Sequence, residues 1–348
     1  MIKKIELSGF RNFKNKSILF SPETSLIIGP NASGKTNILE GLAILSTGKS
    51  FKAKVEEEVI NYEEEIARIV GVVTETKLET ILTRGQIDIG GSRPEKTPKK
   101  RLLVNGVPKR MIDFSGIFKT VLFGPQDLDL VTESPSIRRK FLDTVLSQVD
   151  REYRRSMLSY EKGLRQRNRV LLDIRETGAG RDRLMFWNQL LIKNGNFITH
   201  KRDEFINFIN ELEFEINNLK LSLSYDKSVI SEGRLAQYKR EEVAAGSTLV
   251  GPHRDDFVFN KGERNLSSFG SRGEQRMGVL WLKIGELSFI EEKTEERPTL
   301  LLDDIFSELD KEHRKIVLDV AGKQQTIITS VNENFIKNIQ RVEKIELG

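Results

Sequence analysis

The stretch "GPNASGKT", Gly29 to Thr36, decides the fold. It matches the spacing G-x-x-x-x-G-K-[ST] at every fixed position. An apolar run, "SLIIG" (25–29), precedes it. "NILEGLAILSTG" (37–48) follows, with Ile38, Leu42 and Leu45 at helical spacing and a glycine stop at Gly48. Strand, small-residue loop and helix in that order make a phosphate-binding loop. Small residues let backbone N–H groups face an anion, and the helix N-terminus adds partial positive charge. The whole loop, Gly29, Pro30, Asn31, Ala32, Ser33, Gly34, Lys35 and Thr36, is expected to cradle the phosphates of ATP. Lys35 reaches the β- and γ-phosphates, and the Thr36 hydroxyl binds Mg²⁺.

A second run matches the first. "LLLDD" (300–304) reads as a buried parallel strand, continuous in apolar residues, that ends in two carboxylates. Ligands in open α/β sheets sit beyond the C-terminal ends of the strands. Asp303 is therefore expected in the Mg²⁺ shell. Asp304 is expected to orient or activate the attacking water.

Around these two runs the chain alternates strand and helix signals. "IKKIELSGF" (2–10), "IARIVGVVTE" (66–75) and "LETILTR" (78–84) read as strands. Asn105-Gly106 in "RLLVNGVPKR" marks a hairpin turn. "GGSRPEKTPKKR" (90–101) reads as a basic, polar loop. From about Ser136 to Asn218 the pattern turns helical. Tyr153, Met157, Tyr160, Leu164, Leu171 and Ile174 follow steps of three and four, with Arg167 breaking the series. After "TGAGRDR" (177–183) the pattern resumes at Trp187, Leu191, Ile198, Phe205, Phe208 and Leu212. Two long helices and a short turn predict an antiparallel hairpin with a packing seam. Alternation then returns with "FVFN" (257–260), the carboxylate strand, a helix "KEHRKIVLDVAG" (311–322), and the strands "QTIITS" (325–330) and "VEKIEL" (342–347). The expected fold is α/β. A P-loop ATPase head is built from both chain ends, 1–135 and 221–348, and a helical domain, 136–220, is inserted between them.

Composition narrows the setting. The 348 residues carry 56 Lys and Arg against 51 Asp and Glu, a net charge of +5. That balance permits a nucleic-acid partner without requiring one. The absence of cysteine excludes disulfides and thiolate metal sites and suits a reducing cytoplasm. The start, "MIKKIELSGF", lacks the apolar core of a signal peptide, and no run reaches the roughly 18 apolar residues of a membrane span. A cytoplasmic protein with no membrane contact is expected.

One further segment resists a reading from the phosphate loop alone. "SSFGSRGEQR" (267–276) is polar and glycine-bearing and runs into the helical "MGVLWLKIGELSFI" (277–290). The order of P-loop, "SRGEQR" and "LLLDDIFSELD" (300–310) resembles the ABC-type ATPases of the SMC-like branch. Within that branch the chain resembles the RecF family. The resemblance rests on "LSGFRNF" (7–13), "TGKSFK" (47–52), "FGPQDLDLVTESPSIRRKFLD" (123–143), "TLVGPHRDDF" (248–257) and the carboxylate strand. Together they span most of the chain in the expected order.

This resemblance implies an ATP-dependent DNA-binding protein of recombinational repair and replication. It implies an ATP-driven homodimer on gapped or junction DNA, slow hydrolysis, and support of RecA loading with RecO and RecR. It makes Ser271 and Gly273 the signature motif that meets the nucleotide of another subunit, and "SELD" (307–310) the D-loop. It puts Gln126 at the Q-loop, sensing Mg²⁺ and the γ-phosphate. It puts Arg11 and Asn12 near the nucleotide. Asp304 stands where most ABC ATPases have Glu, which implies a slower enzyme. Ser330 stands where many have a switch His. His253 and Arg254 in "GPHRDD" have two readings, a structural ion-pair turn or a contact near the nucleotide or dimer.

The charge pattern suggests where DNA would bind. Residues 151–183 carry ten Lys and Arg against five acids. Arg151, Arg154, Arg155 and Arg165, with Lys99 and Lys100 of the basic loop, are the expected contacts to double-stranded or junction DNA. No base-reading motif is present, so recognition is expected to be independent of sequence. A small-molecule P-loop kinase would leave "SRGEQR" and "SELD" without a role. A structural SMC-type head would need longer arms than this hairpin.

Overall fold

A computed structural model describes residues 1–87, 95–212, 219–307, 309–331 and 341–347. They divide into two compact units, one of residues 1–127 with 290–348 and one of 128–289.

Two large sheets with a helix between them form the core of the first unit. Five parallel strands run in the order Thr120–Phe123, Thr299–Asp303, Thr326–Ser330, Thr24–Ile28, Val342–Glu346. Thr299–Asp303 is buried at every position, which explains its unbroken apolar reading. Six antiparallel strands form the second sheet: Phe13–Leu19, Ile2–Phe10, Ile66–Val73, Thr76–Thr83, Lys100–Val104, Val107–Lys109. The Asn105–Gly106 turn joins its last two strands. Both residues take left-handed φ, 50° and 79°, as a tight hairpin requires.

The helix Lys35–Thr47 is apolar nearly all round because it has a sheet on either side. Ile38, Leu42 and Leu45 join Ile5, Leu7 and Ile69 of one sheet to Ile27, Leu301 and Ile327 of the other in a single core. Gly41 permits this closeness, since a Cβ there would lie 3.0 Å from Leu7 and 3.2 Å from Ile5. Gln325 ties the two chain ends together. It accepts from the Ile2 N–H at 2.8 Å and donates to the Ile2 and Ser21 carbonyls at 2.7 and 2.8 Å.

The second unit holds the helical hairpin, Arg151–Thr177 and Leu184–Glu211. Asp150 caps the first helix, accepting from the Glu152 and Tyr153 N–H groups. Gly178, left-handed at φ 73°, ends it. At Gly163 a Cβ would fall 2.5 Å from Leu190, so the helices approach through a missing side chain.

Residues 221–289, which the sequence reading gives to the ATPase head, pack here instead. Leu221–Asp226 and Asp256–Lys261 pair in a small sheet of their own. Phe257 and Phe289 join Phe141 and Phe205 in a chain of aromatic contacts, with ring centroids 4.9–6.3 Å apart. The reading of Arg167 as a break in the seam is also corrected. Arg167 is 2% exposed and pairs with the buried Glu242 at 2.6 Å, with further bonds to Asn188 and Thr248. The seam accepts a charge because each of the three guanidinium nitrogens has an acceptor and one of these is a carboxylate.

The expected hairpin extends to Asn218, but residues 213–218 lie outside the described residues, as do 90–94 of the basic loop and Glu308 of "SELD". Among the described residues no helix is long and apolar enough to cross a membrane.

Candidate nucleotide-binding site

The P-loop follows the strand Thr24–Ile28 directly and opens the helix Lys35–Thr47. It turns through left-handed Ala32 (φ 66°) and Gly34 (φ 100°). Gly34 is fixed by space as well as by φ, since a Cβ would lie 2.4 Å from Phe13 and 2.7 Å from Asn12 Oδ1. Lys35 Nζ donates to the Gly29 and Pro30 carbonyls at 2.7 and 2.9 Å, so its charge lies against the loop. Among the described residues Ser33 Oγ is buried without a hydrogen-bond partner. A loop with a lysine folded onto it and an unsatisfied buried hydroxyl fits an anionic ligand.

Thr36 and Asp303 meet across 267 residues of sequence. The Thr36 hydroxyl donates to Asp303 Oδ1 at 2.9 Å, and the Thr329 hydroxyl donates to the same oxygen at 2.8 Å. Asp303 is 6% exposed. A hydroxyl and a carboxylate converging beside a phosphate loop are hard oxygen donors of the kind that would suit Mg²⁺. Gln126 borders them: a Cβ on Gly124 would lie 3.2 Å from the Gln126 amide and 3.3 Å from Asp303 Cβ. Asp304 takes φ 48° and donates its N–H toward the Thr329 carbonyl, so the chain bends sharply after Asp303. A non-glycine residue in that region is strained, as residues at reactive sites often are. Ser330 is buried beside Ile28, one residue before the loop.

Arg11 and Asn12 reach the site differently from each other. Asn12 Nδ2 donates to the Ser33 carbonyl at 3.2 Å, and its Oδ1 accepts from Asn37 at 2.9 Å, so it clasps the loop from outside. The Arg11 guanidinium is held by Glu40, with Nε to Oε2 at 2.7 Å and Nη2 to Oε1 at 2.6 Å, and it also donates to the Glu58 carbonyl. Glu40 is fully buried and accepts from Ser50 as well. Sequence reading missed Glu40. Its only signal was a charged residue on the inward face of an apolar helix.

In the second unit Ser271 and Glu274 form a capping box at the start of the helix Arg272–Thr294. The Ser271 N–H donates to Glu274 Oε2 at 2.8 Å, and the Glu274 N–H donates to Ser271 Oγ at 3.3 Å. Gly273 is exposed, and the only outside atom near a Cβ there would be Ser271 Oγ, 3.9 Å away. Among the described residues nothing crowds a side chain at that position.

Comparison with known proteins assigns this architecture. The family described as RecF/RecN/SMC N terminal domain matches residues 1–347. A DNA replication and repair protein RecF of Agathobacter rectalis is 36% identical, over 99% of this chain and 96% of its own. The chain belongs to the RecF family of DNA replication and repair proteins. A solved structure of the recombination mediator protein RecF with ATP, in the RecFOR pathway, matches at a TM-score of 0.86 and 32% identity, covering 99% of this chain and 95% of that one. An Smc head domain bound to the C-terminal domain of ScpA, derived from Pyrococcus furiosus, matches at 0.52 and 16% identity, over 100% and 94% of the two chains. The last likeness shows the fold alone, that of an SMC-like, ABC-type ATPase head.

The RecF-like "GPHRDD" turn is an internal brace. Asp255 is fully buried and accepts from Arg202, Tyr225 and the Ser228 N–H. Asp256 takes Arg138 in a two-point pair at 2.7 and 2.9 Å. His253 Nε2 faces the Thr248 carbonyl at 3.1 Å and must carry the proton, so Nδ1 accepts from the Tyr160 hydroxyl at 2.8 Å. Burial lowers its pKa to about 4 and keeps the ring neutral. Arg254 is exposed.

The expected DNA contacts separate into two groups. Lys99 pairs with Glu57 and Lys100 with Glu56, so neither presents a bare charge. Arg154 is half-buried and donates to the Ser147 carbonyl. Arg151, Arg155, Lys162, Arg165 and Arg169 instead fall on one exposed stripe of the first hairpin helix, at steps of four, seven, three and four. Arg155 pairs with Glu152 at 3.6 Å. Among the described residues no ion pair engages Lys162, Arg165 or Arg169. Lys162 and Arg169 belong to the ten basic residues of 151–183 but not to the six contacts singled out from the sequence. The helical step that selects them was legible.

Proposed function

We propose that this chain is an ATP-dependent DNA-binding protein of recombinational repair, in which nucleotide binding joins two copies. ATP occupies Gly29–Thr36 with Mg²⁺ on Thr36 and Asp303. Ser271 and the Gly273 backbone of a second copy meet the γ-phosphate. Asp304, with Gln126, positions the water for a slow hydrolysis that releases the pair. DNA lies along Arg151, Arg155 and Arg165 without sequence reading, and the chain works with RecR and RecO in loading RecA.

The observation that supports the reading is the Thr36–Asp303 bond, which brings the hydroxyl that closes the phosphate loop against the carboxylate that ends the buried strand. The exposed Gly273 adds a second support, as a glycine with nothing crowding it leaves its N–H approachable from outside. A small-molecule kinase would leave Ser271 only its helix cap and give the exposed Gly273 no task.

The test is mass in solution with and without Mg-ATP. Lys35→Ala is expected to lose ATP binding and association together. Ser271→Arg is expected to bind ATP and remain single. A Ser271→Arg protein that associates with ATP as the unaltered chain does would overturn the proposal.

A further inference from the structure

The helix that is to receive a γ-phosphate begins with a carboxylate. Glu274 Oε2 already accepts the Ser271 N–H at 2.8 Å. The partner's triphosphate, arriving at Ser271 and Gly273, would bring several negative charges to the same turn. Two anions at that separation repel unless a cation lies between or beside them.

Such a cation is present. Lys261 ends the strand Asp256–Lys261, and its ammonium donates to Glu274 Oε1, the carboxylate oxygen that the cap leaves over. Lys261 and the Ser271 N–H hold the Glu274 carboxyl down to about 2, so it is ionised at neutral pH. Lys261, Ser271 and Gly273 are exposed and Glu274 is half-buried, which leaves the cluster open to a second molecule.

We infer that Lys261 is the charge-balancing residue of the signature turn, neutralising Glu274 so that the turn can accept the γ-phosphate of a nucleoside triphosphate held by a second copy. The inference rests on the proposed role of Ser271. Lys261 acts through Glu274, as a positioning residue. Its value depends on the carboxylate, because a glutamine at 274 would keep the cap's acceptor without its charge. The two substitutions are therefore coupled in a definite direction.

Sedimentation velocity of the full chain with Mg-ATP tests this. Lys261→Met is expected to need about ten-fold more protein for half-association, from one uncompensated charge at a screened site. Adding Glu274→Gln to Lys261→Met is expected to restore association to within about two-fold of the unaltered chain. Raised salt should narrow the gap between Lys261→Met and the unaltered chain, which a packing defect would not do. Both variants should melt with the unaltered chain, since Lys261 is exposed.

Normal association of Lys261→Met overturns the inference and leaves the parent reading standing. A double variant as weak as Lys261→Met also overturns it, because Lys261 would then bind the phosphate itself. Failure of the unaltered chain to associate with ATP overturns the parent reading and this inference together.

Discussion

Glu40→Ala leaves the Arg11 guanidinium without its carboxylate. Glu40 is fully buried and the Arg11 side chain is 17% exposed, so water can replace only part of what is lost. Removing one partner of a buried pair costs roughly 3–5 kcal/mol. With partial rehydration of Arg11 we expect about 3 kcal/mol. In a unit of this size each kcal/mol lowers Tm by roughly 2–4 °C, so calorimetry should show a fall of about 6–12 °C.

The same variant should weaken ATP binding on the order of ten-fold, because Arg11 fixes the turn from which Asn12 clasps Ser33. Arg11→Met/Glu40→Met should recover stability to within about 1 kcal/mol of the unaltered chain, since two apolar side chains leave no buried charge. The reasoning fails if Glu40→Ala melts within about 2 °C of the unaltered chain. It also fails if Arg11→Met loses ATP affinity with no loss of stability, because Arg11 would then touch the nucleotide directly.

His253 has a folded pKa of about 4 against an ordinary 6.5, so below pH 6.5 the unfolded chain takes up a proton that the folded chain refuses. Stability should fall as pH drops from about 6.5 to about 4, by on the order of 2–3 kcal/mol, and His253→Gln should remove that component. Unfolding free energies of both proteins at pH 7 and 4.5 check this, and an unchanged difference between them would refute it. On the basic stripe, Lys162→Ala/Arg165→Ala/Arg169→Ala should reduce the slope of log affinity for DNA against log salt by about 2.7, at about 0.9 per phosphate contact. An unaltered slope would move DNA elsewhere.

Much of the site was legible because its chemistry is local. The P-loop and the carboxylate strand each announce themselves within eight residues, and the hydrogen bond between Thr36 and Asp303 only closes what their motifs imply. The Asn105–Gly106 turn was equally local. What sequence could not supply was the partner of each charge. Arg167 looked like a fault in an apolar seam, but its Glu242 lies 75 residues away. Lys99 and Lys100 looked like a basic loop, yet their glutamates lie more than 40 residues earlier. Arg11 pointed to the nucleotide only through resemblance, while its contact is Glu40. Residues 221–289 alternate like the head, but the aromatic contacts of Phe257 and Phe289 with Phe141 and Phe205 draw them to the hairpin. Composition records that a charge or ring is present, and only the fold says what neutralises or covers it.

In the proposed assembly each nucleotide site takes its P-loop from one copy and its signature turn from another. Mixing Lys35→Ala with Ser271→Arg tests it most directly. Each protein alone should stay single with Mg-ATP, because every site in a like pair lacks one half. A mixed pair contains one complete site, with Lys35 from one copy and Ser271 from the other, so mass should rise only on mixing. If the mixture stays single while the unaltered chain associates with ATP, the two halves do not meet across copies and the account is contradicted.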